Sequence, residues 1–250
     1  MTVVLVPYHL DERLPESGIP LPHADATVTM PLPDGDVWQR LSTLYPAVAR
    51  EVAQIAGRGE LPTVVSGDCM VSLAVLAGLQ QAGTDASIVW FDAHGDVQTL
   101  ETTESGYIGG MPLRIMVGYR PELLADHLGL RPLPEDRALL VDARDLDRAE
   151  AEYLASADIA QCEVNQIATA ALPDGPILLH IDLDVLDATE LSGLRFPVTE
   201  GPPASSVLTA ARQILATGRV RARDIACTWY PDESDDGRKA QVLADLLAAD

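Results

Sequence analysis

The stretch Ala86-Ser87-Ile88-Val89-Trp90-Phe91-Asp92-Ala93-His94-Gly95-Asp96 decides the fold. An apolar run of strand length, Ala86 to Phe91, breaks directly into a polar cluster, and the same join recurs twice. Thr63 to Ser66 leads into Ser66-Gly67-Asp68-Cys69, and Ile177 to Ile181 leads into Asp182-Leu183-Asp184-Val185-Leu186-Asp187. Unbroken runs rich in Val, Ile and Leu mark strands buried on both faces, as in a parallel sheet covered by helices. Val3 to Pro7, Ala138 to Val141 and Asp224 to Trp229 read the same way. Helical spacing fills the intervals near Asp36 to Ile55, Met70 to Gln81, Arg148 to Ala155, Ser205 to Ala216 and Gly237 to Ala249. This alternation predicts an α/β protein, a three-layer α/β/α sandwich around a mainly parallel sheet. The Pro- and Asp-rich segment from Asp11 to Pro33 reads as surface loop, and one domain over 1–250 is expected.

Composition narrows the function classes. The chain has 250 residues, 47% hydrophobic and 22% charged, which suits a folded globular protein. With 17 Lys+Arg against 38 Asp+Glu its net charge is −21. Nucleic acid is an unsuitable partner, because binding to phosphates depends on Lys and Arg displacing counterions. No run approaches the roughly 18 apolar residues of a membrane span, and the start Met-Thr-Val-Val-Leu-Val-Pro lacks a basic signal region. Three scattered cysteines, Cys69, Cys162 and Cys227, do not make a disulfide framework and fit a reducing, cytoplasmic location. The net charge and an end at Asp250, with the last helix, lead us to expect a monomer.

The carboxyl ends of strands in an open parallel sheet border the ligand crevice, so the three polar clusters should converge there. In an extended segment residues i and i+2 project to one side. Asp92 with His94, and Asp182 with Asp184, thus form two forks aimed at a common point. Carboxylates this close need cations to remain ionised together. The oxygen-rich donor set favours hard ions such as manganese, while the imidazole and a thiolate leave zinc, iron or nickel open. A single Asp-x-His-x-Asp string is a weak signal, since loop and capping acids explain most such strings. Three clusters, each directly after a strand, make a much stronger joint one.

These motifs resemble the ureohydrolase (arginase and agmatinase) family. Trp90-Phe91-Asp92-Ala93-His94-Gly95-Asp96 is similar to that family's central metal motif, and His180-Ile181-Asp182-Leu183-Asp184-Val185-Leu186-Asp187 to its second. Ser105-Gly106-Tyr107-Ile108-Gly109-Gly110-Met111-Pro112 is similar to its substrate loop, and Cys227-Thr228-Trp229-Tyr230-Pro231-Asp232 to its closing segment. The resemblance implies two manganese ions. Asp92 and Asp182 bridge them, Asp96 completes one, and His94 with Asp184 completes the other. Asp96 also orients the attacking hydroxide. Gln98 and Ser105 match positions that hold the α-carboxylate of an amino-acid substrate, and Asp147 the position near its α-amino group.

Three departures qualify that picture. Cys69 stands where the family has a His ligand, and we expect it to bind as a thiolate. Most free cysteines are buried and inert, but this one sits at the start of a helix, where a thiol's pKa falls, and neighbouring cations lower it further. With four Asp it would bring −5 against the +4 of two divalent ions. Gly109 stands where the family has a proton-relaying His, a general acid worth about 10² to 10⁴ in rate. Ser206 stands near the position of a Glu that grips the guanidinium, and Glu200 is the other candidate there. A less basic, N-hydroxylated guanidine would lessen the need for both groups. This set resembles the hydroxyarginine-cleaving branch of the family, which implies hydrolysis of Nω-hydroxy-L-arginine to L-ornithine and hydroxyurea. A formimidoylglutamate or other amidine hydrolase, or a non-catalytic relative, is the alternative.

Overall fold

The structure is a computed structural model that describes residues 1–231 and 237–249; Asp232 of the closing motif and Asp250 lie outside the described residues. Its centre is an eight-stranded sheet in which every pairing is parallel. The strands are β1 (Thr2–Val6), β4 (Ala26–Thr27), β5 (Pro62–Ser66), β6 (Ser87–Asp92), β7 (Ala138–Asp142), β8 (Ala160–Cys162), β9 (Ile177–Asp182) and β10 (Val220–Ala226). A small antiparallel pair, β2 (Tyr8–His9) and β3 (Glu12–Arg13), stands apart from the sheet. The order β4-β1-β5-β10-β9-β6-β7-β8 puts the ends of β5, β10, β9 and β6 side by side at the middle of the sheet.

Two apolar layers clothe the sheet. On one face Val64, Trp90, Leu178 and Ala222 pack with α1 (Val37–Gly57), α2 (Ser72–Gln81), α3 (Pro112–Met116) and α4 (Ala125–Leu128). On the other, Val65, Phe91, Leu179 and Ile225 pack with α6 (Ala204–Leu215) and α7 (Arg238–Leu247). The expected α/β/α sandwich is therefore the observed one. Helix α1 starts at a capping box, with Asp36 accepting from the Gln39 amide and Gln39 returning to the Asp36 N–H. Helix α5 (Arg148–Leu154) starts the same way on Asp147 and Glu150.

The structure differs from the sequence expectation at several edges. The 11–33 segment contributes β4, which pairs with β1, and β8 extends the opposite edge. Both are too short to show an apolar run. The last strand covers Val220–Ala226, not 224–229. Its first half was hidden by charge: Arg221 faces outward, while Arg223 is buried and donates to Thr63 Oγ1 (3.1 Å) and to the Leu246 and Ala249 carbonyls (both 2.9 Å). This guanidinium satisfies carbonyls at the end of α7, which ties that helix to the sheet. After Ala226 the chain leaves the sheet, and the Cys227 N–H donates to the Ser66 carbonyl (2.8 Å).

Helices α1 and α2 meet closely at Gly78. A Cβ there would lie 2.6 Å from the Ala49 carbonyl oxygen and 2.7 Å from Val52 Cβ. Gly78→Ala should therefore destabilise the fold by about 1–3 kcal/mol through overpacking, although Ala favours a helix interior by about 1 kcal/mol over Gly. Urea denaturation checks this, and a rise in the unfolding midpoint would show that the helices can part at little cost.

Candidate active site

The four adjacent strand ends place the three clusters around one cavity of about 330 Å³. Asp92 ends β6 and Asp182 ends β9. Asp184 lies in the 3₁₀ turn Leu183–Val185, whose first amide hydrogen bond is taken by Asp182 (Asp184 N to Oδ1, 2.8 Å). Cys69 opens the turn Cys69–Val71 that feeds α2, behind an Asp68 cap that accepts from the Met70 N–H (2.9 Å). Cys69, Asp92, His94, Asp96, Asp182 and Asp184 all line the cavity, as do Gln98, Ser105 and Asp147. The sequence-predicted residues are thus brought to one place.

Close distances tie the group together. The Cys69 thiol donates to Asp182 Oδ2 at 2.7 Å and stands 3.9 Å from Asp92 Oδ2. His94 Nδ1 lies 3.2 Å from Asp92 Oδ1 and 3.3 Å from Asp184 Oδ2. Trp90 Nε1 donates to Asp92 Oδ2 (3.2 Å), and Thr228 Oγ1 donates to Asp182 Oδ1 (2.6 Å). Asp96 sits in the left-handed region (φ 53°), a conformation that favours Gly and costs a non-Gly residue energy. Its Oδ2 is buried without a partner.

Electrostatically the cluster is out of balance. Burial, reinforced by neighbouring carboxylates, raises Asp96 and Asp184 well above the ordinary range and brings Asp182 to about 6. Burial opposes ionisation of Asp92 too, yet hydrogen bonds and attraction from His94 hold its pKa low. Burial disfavours a charged His94, but bonds to Asp184 and Asp92 overcome this and push its pKa up to about 12. Burial and the surrounding Asp residues push the Cys69 thiol well up. Among the described lining residues there is no Lys or Arg, so His94 is the one cationic side chain in the cavity wall. Four buried carboxylates, one with an orphaned oxygen, together with a thiol and an imidazole, fit divalent cations. Two overlapping sets of donors lie within 4.8 Å of one another: Cys69, Asp92 and His180, and Asp92, His94 and Asp184.

The far wall holds the polar residues. Gln98 Nε2 donates to Asp147 Oδ2 (2.7 Å), and Gln98 Oε1 accepts from Thr102 Oγ1 (2.7 Å). Glu150 accepts from the Val97 and Asp147 amides (both 3.2 Å), fixing the loop after β6 to the start of α5. Ser105 Oγ accepts from the Tyr107 N–H (3.2 Å). At Gly109 a Cβ would lie 2.3 Å from the Tyr107 ring and hydroxyl. Tyr107 therefore occupies the space of the missing side chain, and its hydroxyl stands 3.3 Å from His9 Nε2. Phe196 closes the rim against His94 and Tyr107.

Neither candidate for the guanidinium side lines the cavity. Ser206 lies in α6 and Glu200 is exposed, and neither is among the described lining residues. Thr228, just past β10, does line the cavity, with its hydroxyl on Asp182. Sequence reasoning also missed Tyr107, His9, Phe196, Glu150 and His180. Tyr107 and His180 lay inside quoted motifs, where their residue types were a usable signal; the others are joined to the site only by tertiary contacts.

Comparison with known proteins bears on the family. A family model described as "Arginase family" matches residues 18–249. The chain is 32% identical over 238 residues to the N(omega)-hydroxy-L-arginine amidinohydrolase of Streptomyces lavendulae, covering 92% of this chain and 82% of that protein. It is 30% identical over 168 residues to the arginase of Bacillus subtilis, covering 62% of this chain and 56% of the relative. The solved structure of Bacillus cereus arginase superposes with a TM-score of 0.82 at 22% identity, covering 99% of this chain and 96% of the other. This chain belongs to the arginase family, whose members are metal-dependent hydrolases of guanidino and amidino C–N bonds.

Proposed function

We propose that this protein holds two divalent ions, manganese by donor preference, and cleaves Nω-hydroxy-L-arginine to L-ornithine and hydroxyurea. Cys69, Asp92, Asp96 and Asp182 would hold one ion, and Asp92, His94, Asp182 and Asp184 the other. The observation that carries the substrate assignment is the wall at Gly109, where the backbone carries no side chain and Tyr107 fills the space. The 32% identity to a hydroxyarginine amidinohydrolase supports the same reading.

Bound ions of this kind supply a hydroxide nucleophile at neutral pH and hold it for attack. The chain's own groups do the rest. Asp96, with its unpartnered Oδ2 in the cavity, accepts a proton from the attacking oxygen and aims it at the guanidine carbon. Gln98, Ser105 and Asp147 grip the amino-acid end, with Gln98 and Asp147 already paired. Collapse breaks the bond between the guanidine carbon and the ornithine nitrogen, which must leave with a proton. Gly109 cannot donate one. An N-hydroxyguanidine relieves that demand: its oxygen withdraws electron density, and its hydroxyl is a further proton source. Neither Ser206 nor Glu200 is among the described lining residues, so no group at those positions grips a guanidinium there.

Nω-Hydroxy-L-arginine should be hydrolysed at least about 10²-fold faster than L-arginine, the lower end of one general acid's contribution. Ornithine release from both at equal metal occupancy checks this, and comparable kcat/KM values would make the protein an ordinary arginase. Metal binding should depend on pH with a definite sign. The metal-free Asp182 carboxyl titrates near 6 and the Cys69 thiol well above its usual range, so each ion displaces protons. Affinity should climb by about tenfold or more between pH 5 and 7, with protons released to the buffer. A flat profile in calorimetric titration would mean that these groups are not ligands.

A further inference from the structure

One buried group beneath the carboxylates is left idle by the reading above. His180 lies in β9 two residues before Asp182, fully buried on the α2 side of the sheet. Its register partners across the sheet are Trp90 on β6 and Asp224 on β10, so the three side chains form one row. Trp90 stacks on the His180 ring, centroids 3.6 Å apart, while its own Nε1 donates to Asp92. His180 Nδ1 stands 2.9 Å from Asp224 Oδ2 and 2.8 Å from Ser72 Oγ.

Those contacts suit a proton on Nδ1. The Ser72 hydroxyl donates to Asp224 Oδ2, so Nδ1 faces two oxygens able to accept from it. Nε2 then carries a lone pair, and although buried it has no hydrogen-bond partner. A ring nitrogen of His180, Cys69 Sγ and an Asp92 oxygen lie within 4.8 Å of one another, which is the spacing of donors around a single ion.

We propose that His180 Nε2 is a ligand of the ion held by Cys69. The proposal rests on the two-ion reading and extends it. A carboxylate behind one ring nitrogen is the usual setting of a metal-binding histidine, because it orients the ring and raises its basicity. Asp224 fills that place here. Cys69 follows β5 and His180 lies on β9, two strands away across β10, so β9 would supply the nitrogen donor that position 69 lacks. As a neutral ligand, His180 adds a donor without adding to the −5 charge of Cys69, Asp92, Asp96, Asp182 and Asp184. An alternative role, as an ordinary core histidine satisfied by Asp224, leaves the buried Nε2 unexplained.

Titration of the metal-free protein with Mn(II), with bound ions counted, tests this alongside a crystal structure of the loaded wild type. His180→Phe keeps a ring against Trp90 and removes the donor. It should bind one ion as the wild type does and the other at least about tenfold more weakly, while the metal-free variant keeps the wild-type circular dichroism. Unchanged affinity for both ions would overturn the proposal. In the loaded wild-type crystal, Nε2 should lie within about 2.5 Å of an ion, near the metal–nitrogen distance of histidine sites; a separation beyond about 3 Å would overturn it even if the variant fails to fold. Two bound ions with His180 detached refute this assignment alone, whereas a wild type that binds no ion refutes the two-ion reading as well.

Discussion

Four carboxylates at the ends of neighbouring parallel strands cannot all be anions in a buried volume without cations among them. That constraint organises the molecule. The sheet order brings β5, β10, β9 and β6 together at its centre, and the polar residues just past those strands have nowhere to turn except toward each other. Burial and neighbouring carboxylates raise Asp96 and Asp184 well above the carboxylate range, the Cys69 thiol donates to Asp182, and bonds to Asp184 and Asp92 push His94 up.

The surrounding structure holds this arrangement rigidly. The capping box at the start of α5 places Asp147, and Glu150 within it also takes the Val97 amide, so hydrogen bonds join the loop after β6 to the far wall of the cavity. Arg223 performs a similar task at the opposite side by satisfying the end of α7. The departures from the family pattern then form a coherent set. Cys69 stands within reach of His180 and Asp92, and the Tyr107 ring takes the space beside Gly109.

Much of the fold was legible because parallel strands buried on both faces leave unbroken apolar runs, as at Ile88 to Phe91 and Ala138 to Val141. What misled the sequence reading was charge and brevity: Arg223, buried by bonding to carbonyls, hid the start of β10, and the edge strands β4 and β8 were too short to show a pattern. The acids of the site were legible because each follows its strand directly. The choice between Ser206 and Glu200 was not legible, because neither lies in a motif and neither is among the described lining residues. The row of Trp90, His180 and Asp224 was invisible for another reason: it depends on the register of three strands far apart in sequence.

On the reading proposed above, this cluster holds two cations. Metal analysis of the purified protein, after dialysis against a metal-free buffer near neutral pH and again after reloading with Mn(II), tests it most directly. The account predicts close to two ions per chain after reloading, with loss of both metal and activity in Asp92→Asn and Asp182→Asn. Fewer than about half an ion per chain, or full activity in either variant, would contradict it.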